Sequence, residues 1–299
     1  MALTSQILST KLRPSHNTIT LFSNFSSKSH FHHINSIKFK PKTRFNLLCS
    51  NNKQQLQILE GFSLLETEPP WESSNVWSTM ALYFFSLHVP LSFGGLSLIA
   101  NLLHQPVLDP QLKAVAILVI GTSELSAAVL LLQFTAKPEY KSLNFLECRN
   151  VRRDRNWVFS AILGFAVLVA TMYLTSSLAD RFIGNEDAST QTVKEILSSG
   201  SIGQTSITLV YCIVAPFLEE IVYRRFLLAS LAPSMKWHQA LVVSSVVFTA
   251  AHLSGENFIQ LFLIGMVLGC SYSWTGDLRS SILLHSMYNA LTLLIHFYT

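Results

Sequence analysis

The chain alternates between long apolar stretches and short polar joints, not between buried and exposed faces of short elements. Apolar residues run nearly unbroken over 80–103, 113–134, 157–178, 206–230, 239–253, 257–274 and 280–298. Stretches of about 15–24 residues bracket the roughly 20 that an α-helix needs to cross a hydrocarbon layer. A bilayer admits only helices or closed barrels, and apolar runs without period-2 alternation select the helix. The pattern predicts an all-α, polytopic membrane helix bundle with seven spans, and a short eighth element within 60–79 is compatible with it. Residues 60–79, with Glu66, Glu68, Pro69, Pro70 and Glu72, read as a polar, interfacial lead-in whose Trp71 and Trp77 lie at the headgroups.

Composition agrees with this reading. Of the 299 residues 49% are hydrophobic and 13% charged, half of the roughly 25% charged residues typical of soluble domains. That excludes a disordered chain, a collagen, a disulfide-stapled mini-protein and an ordinary soluble enzyme. Four cysteines, at 49, 148, 212 and 270, form no Cys-x-x-Cys, so neither a disulfide framework nor a zinc ribbon is indicated.

The formal charge of +4 is local. Residues 1–59 hold eight basic side chains and no acid, and the remainder carries 13 basic against 17 acidic residues, a net of −4. The basicity therefore gives no support to nucleic-acid binding. The same 59 residues contain nine serines and five threonines and lack an apolar core. Such a segment reads as a disordered transit peptide, plastid in preference to mitochondrion, removed near Leu48-Cys49-Ser50. The expected organisation is 1–59 transit peptide, 60–79 lead-in, 80–204 N-terminal spans and 205–298 catalytic membrane domain. Loop 135–156, with Lys137, Lys141, Arg149, Arg152, Arg153 and Arg155, takes the positive-inside face. Counting spans then puts Arg224, Arg225, Lys236 and Arg279 on that face too.

Polar groups inside apolar spans are costly enough to be functional suspects. Three segments hold them: Ala215 to Arg225 with Glu219, Glu220, Arg224 and Arg225; Phe248 to His252; and His285 to Asn289. On a helix, i and i+4 share a face. Glu220 and Arg224 form such a pair, so Glu220 is expected to be ion-paired and structural. Glu219 points about 100° away, has no charged i+4 partner, and is the candidate general base. Pro216 removes the amide that the carbonyl of Cys212 would bond, so a kink is expected just before the carboxylates. His285 and Asn289 share a face and can present two donors to an oxyanion.

Glu-Glu-x-x-x-Arg, Phe-x-x-x-His and His-x-x-x-Asn, in this order on separate late spans, resemble the CAAX protease and bacteriocin-processing enzyme family. This group includes the type II CAAX prenyl endopeptidases and bacterial self-immunity proteins. The resemblance covers about residues 205–295. It implies a glutamate-dependent intramembrane endopeptidase acting on a membrane-associated protein or peptide, with Glu219 and His252 activating water. His285 and Asn289 would stabilise the oxyanion, with Glu220, Arg224 and Phe248 in support. The chain has Tyr223-Arg224-Arg225 where family members often have Phe-Arg-Gly, and its first spans match no pattern.

Other readings remain at this level. Each motif alone also fits bundle glue or a snorkelling charge cluster. A zinc helix His-Glu-x-x-His and a Gly-x-Ser-x-Gly elbow are absent from the sequence. The expected cofactor is none, with a divalent metal on Glu219, His252 and His285 as the alternative. Different classes are a pigment- or haem-binding protein using His252 or His285, and a catalytically silent scaffold or chaperone. His88 and His104 show no partner at useful spacing. If every span crosses fully, His252 and His285 differ in depth by roughly 10–15 Å, so the site closes only if helices are short, tilted or broken.

Overall fold

The computed structural model describes residues 61–65, 68–140, 155–182, 188–254 and 257–298. The chain divides into two units, Met1–Lys11 with Phe62–Thr299, and Leu12–Gly61. Of the described residues, all but Gly61 belong to the first unit. The expected transit peptide, 1–59, lies outside them.

Among the described residues there are helices and no strands. They are α1 (Ser73–Leu102), α2 (Pro110–Thr135), α3 (Trp157–Phe182), α4 (Ala188–Ser198), α5 (Ser201–Leu231), α6 (Trp237–Ala251), α7 (Phe258–Thr275) and α8 (Leu278–Tyr298). All seven expected apolar stretches are helical. Five helices, α1, α2, α3 (over Trp157–Thr175), α5 and α7, are long and apolar enough to cross a membrane. With 15 residues, α6 extends only about 22 Å, short of a hydrocarbon core of about 30 Å. In α8, Ser280, Ser281, His285, Ser286 and Asn289 dilute the apolar character of the first half.

Three expectations change. The lead-in is partly helical, because α1 begins at Ser73, and its Trp71 is buried against protein. The Trp71 indole donates to the Leu132 carbonyl at 3.0 Å and meets Phe226 edge-on at 5.1 Å, whereas Trp77 is exposed. The additional short helix is α4, between the third and fourth expected spans and not within 60–79. Arg224 and Arg225, expected at the positive-inside face, are both 1% exposed and so are interior groups. Of the basic loop, Arg155 donates to the carbonyls of Phe62 and Trp274 at 2.6 and 2.7 Å, and 141–154 lie outside the described residues.

Burial ranks the helices. Within their most apolar windows α5 is 67% buried and α3 only 17%. The helix holding both glutamates is thus central, and α3 presents Phe159, Ile162, Leu163 and Leu174 outward, as a lipid-facing helix does. The backbone of α5 is widened twice, by π-helical turns at Val210–Val214 and Glu220–Leu228. The first accommodates Pro216: the Ala215 amide bonds the Val210 carbonyl, five residues back. A widened turn is one of the identifiable causes of a helix bend, and it stands where the proline led us to expect one.

α7 packs closely on α6 at Gly265. A Cβ placed there would meet the Ser245 backbone and Phe248 ring at 3.3 Å. The side chain must be absent for the two helices to approach. Gly265→Val is therefore expected to lower the melting temperature, by the equivalent of about 1–3 kcal/mol for overpacking. Gly94, whose added Cβ would meet nothing within 4 Å, is the control: Gly94→Ala should match or exceed the parent in the same thermal unfolding series.

Candidate active site

The site is built from α5, α6 and α8. Glu219 ends an α-helical turn and Glu220 opens the second π-helical stretch of α5. The widened turn keeps Glu220 beside Arg224, and their Oε1 and Nη1 atoms lie 3.1 Å apart. Arg224 is held from two further helices: its Nη2 donates to the Gly265 carbonyl of α7 at 3.4 Å, and its guanidinium lies 4.4 Å over the Phe248 ring of α6. Glu220 is fully buried, and its Oε1 also receives the Nδ1 of His285 at 2.9 Å.

Glu219 lies in a different environment. Its Oε2 is 3.9 Å from Nε2 of His252 and 3.7 Å from Nε2 of His285. Both separations are too long for a direct hydrogen bond and short enough for one water to bridge. Neither Oε2 of Glu219 nor Nε2 of His252 has a hydrogen-bond partner, although both are buried. The two imidazoles are oriented by their other nitrogens. His252 Nδ1 donates to the Phe248 carbonyl at 2.7 Å, and His285 Nδ1 is taken by Glu220.

The residues singled out in the sequence thus meet, with one in a different relation. Glu219, His252 and His285 come from three helices to one point, and the short α6 removes the expected difference in depth. Asn289, one turn beyond His285, directs its amide nitrogen to the Tyr211 carbonyl at 2.9 Å, not to the point where His285 Nε2 aims. His285 joins the two carboxylates, one on each ring nitrogen, a role that the spacing of α8 residues alone does not show. Phe248 packs against His252 at 4.6 Å and Tyr223 at 5.3 Å between ring centroids.

His88 does have a partner. It pairs with Glu124 of α2 at 2.8 Å, across 36 residues, and the two line a cavity of about 20 Å³ together with Glu219, Tyr223 and His252. A space of this size holds about one water. No group of three or more His, Cys, Asp or Glu among the described residues is arranged to hold a metal ion.

Residues 201–291, about the last third of the chain, match the family model described as type II CAAX prenyl endopeptidase Rce1-like. Among curated proteins it is similar to the "Membrane-embedded CAAX protease MroQ" of Staphylococcus aureus, 27% identical over 43% of this chain and 54% of that protein. It is also similar to the "Putative membrane peptidase YdiL" of Bacillus subtilis, 24% identical over 69% of this chain and 81% of that protein. The alignment thus spans about half the length of the first relative. No solved structure matches.

The Glu220–Arg224–His285 arrangement makes a stability prediction. Glu220→Gln strips the anion from a buried guanidinium and an imidazole at once. Leaving a buried charge uncompensated typically costs about 3–5 kcal/mol. The variant is expected to lose membrane yield and melting temperature first. A Glu220→Gln protein that melts with the parent would show that this ion pair does not hold the bundle.

Proposed function

We propose that the chain is a multi-pass intramembrane endopeptidase in which Glu219 is the general base for an attacking water. What carries the reading is the meeting of one buried, unbonded carboxylate oxygen with the Nε2 atoms of two histidines, at 3.7 and 3.9 Å. The family match and the names of the relatives support it.

The hydrogen-bond roles follow from the partners. Because His252 Nδ1–H is committed to a carbonyl, a neutral His252 offers a lone pair at Nε2. A water between Glu219 and His252 directs one hydrogen to each and turns an oxygen lone pair toward a scissile carbonyl. His285 donates Nδ1–H to Glu220, so the hydrogen it offers an oxyanion is the one on Nε2. Asn289 gives an amide hydrogen to the Tyr211 carbonyl, so in this reading it ties α8 to α5 behind His285, which donates to the oxyanion. The water's proton passes to Glu219 and from there to the leaving amine nitrogen as the peptide bond breaks. Glu220, Arg224 and Phe248 hold the frame.

The substrate class in this reading is a membrane-associated protein or peptide, presented from the bilayer, with no nucleic-acid partner and no cofactor. The location we propose is a plastid membrane, from the acid-free, hydroxyl-rich residues 1–59.

Activity is tested on purified protein against a panel of membrane peptides, with and without a chelator. Glu219→Gln is nearly isosteric, and it should accumulate like the parent while turnover falls by roughly 10²–10⁴-fold, the range for lost general-base catalysis. A fully active Glu219→Gln enzyme ends the assignment. If both Glu219→Gln and Glu220→Gln fold and the parent cleaves nothing, the scaffold reading stands instead. Loss of turnover on chelation that added metal restores would favour the metal alternative on Glu219, His252 and His285.

The address has its own measurement. Sequencing the mature N-terminus from isolated plastid membranes should start between roughly residues 45 and 60, as a cleaved transit peptide requires. Recovery of Met1 or Ala2 would remove the plastid proposal without touching the chemistry.

A further inference from the structure

Outside residues 201–291 the interior holds a second polar cluster, which the proposed chemistry leaves unused. α1 supplies Tyr83, His88 and Ser92, and α2 supplies Glu124. His88 is 3% and Glu124 2% exposed, inside two membrane-crossing helices where ionisable groups point to function. Glu124 is fully engaged: Oε1 accepts from the Tyr83 hydroxyl at 3.0 Å and faces His88 Nδ1 at 2.8 Å, and Oε2 accepts from Ser92 at 3.0 Å.

The other nitrogen of His88 reaches the candidate site. Nε2 lies 3.3 Å from the carbonyl oxygen of Ala251, the last residue of α6. A carbonyl only accepts, so Nε2 carries a hydrogen, and Nδ1 shares the next proton with Glu124. The final carbonyls of a helix have no donor within it, and His88 supplies one. The residue after Ala251 is His252. Its ring is tied to its own helix by the bond to Phe248, and that helix end is tied to α1 by His88. Two hydrogen bonds in series thus connect the Glu124 carboxylate to the His252 imidazole. A small cavity lined by His88, Glu124, Glu219 and His252 lies between the two clusters.

We propose that His88, with its ring fixed by Glu124, is a positioning residue for His252: by holding the Ala251 carbonyl it sets the 3.9 Å separation between His252 and Glu219. The proposal rests on reading Glu219 and His252 as the catalytic pair. It assigns the N-terminal helices, which lie outside the matched domain, a part in assembling the site.

Replacing His88 alone strands a buried carboxylate, so the test uses a Glu124→Gln background, in which the bundle holds no unpaired charge. In that background His88→Leu removes the donor to Ala251, and His88→Gln restores an N–H at about the Nε2 position. The first is expected to lower kcat by about 10²-fold, the cost of a displacement of about 1 Å in a reacting group, with KM little changed. The second should recover most of the loss. Equal kcat in the two variants, or a fall in kcat matched by falling melting temperature and rising KM, overturns the proposal.

A readout independent of turnover separates this from failure of the catalytic reading. Nitrogen-15 NMR of histidine-labelled full-length protein in bilayers reports the His252 ring, assigned by difference from His252→Gln. Those signals should shift in the His88→Leu protein and return in His88→Gln even if no peptide in the panel is cleaved. His252 signals that ignore His88 would refute the positioning role. An inactive parent with shifting signals would refute only the activity.

Discussion

A guanidinium and a carboxylate buried together in an apolar interior hold this structure in register. Glu220 and Arg224 lie 3.1 Å apart at 0% and 1% exposure. Desolvating such a pair costs several kcal/mol per ion, recovered only if the remaining donors and acceptors are also met. Here part of that need is met from other helices, while Oε2 of Glu220 and Nη1 of Arg224 have no hydrogen-bond partner. Arg224 reaches the Gly265 carbonyl of α7 and the Phe248 face of α6, while Glu220 takes the His285 ring of α8. One ion pair on α5 therefore fixes the neighbours that carry both candidate histidines. The small residue at 265 belongs to the same constraint, since a side chain there would push α6 and its Phe248 away.

With Arg224 committed to Glu220, the adjacent carboxylate is left facing imidazoles alone. That division separates a structural glutamate from a reactive one at consecutive positions. Both are buried, and the difference lies in their partners: a permanently charged guanidinium in one case, two titratable rings in the other. The π-helical turn beginning at Glu220 contributes, because widening the helix there carries Glu219 and Glu220 toward different neighbours. Such insertions are frequent at functional sites.

Much of this was legible in the sequence, for identifiable reasons. The apolar stretches announced every long helix because a bilayer demands length and hydrophobicity without interruption. The Glu220–Arg224 pair followed from i,i+4 spacing, and the assembly of Glu219, His252 and His285 from three short patterns in order. What stayed hidden depends on contacts between helices. His88 and Glu124 stand 36 residues apart, the one histidine of the 80–103 stretch and the one acid of the 113–134 stretch, so no periodicity links them. Trp71 looked interfacial because Trp often is, and only the neighbouring Leu132 carbonyl and Phe226 ring explain its burial. Asn289 shares a helix face with His285, yet face-sharing does not say that the Tyr211 carbonyl stands opposite. α4, short and polar, left too weak a signal between the third and fourth apolar stretches.

The end of α6 shows why the second cluster and the site cannot be considered apart. A helix that stops inside a protein leaves its last four carbonyls without intrahelical donors, and buried carbonyls must find them. In α6 these belong to Phe248, Thr249, Ala250 and Ala251. The backbone amides of His252 and Leu253 turn back to Thr249 and Ala250 at 3.2 and 3.1 Å, and this tightening leaves Leu253 at φ 49°, a conformation uncommon for a residue with a side chain. The other two carbonyls are met by histidines: Phe248 by His252 Nδ1 and Ala251 by His88 Nε2. Ending the helix early brings His252 level with Glu219, and the same early end creates the acceptors that orient its ring and anchor its backbone. The short helix, the inward-facing imidazole and the His88–Glu124 pair meet at one buried helix end, Ala251–His252.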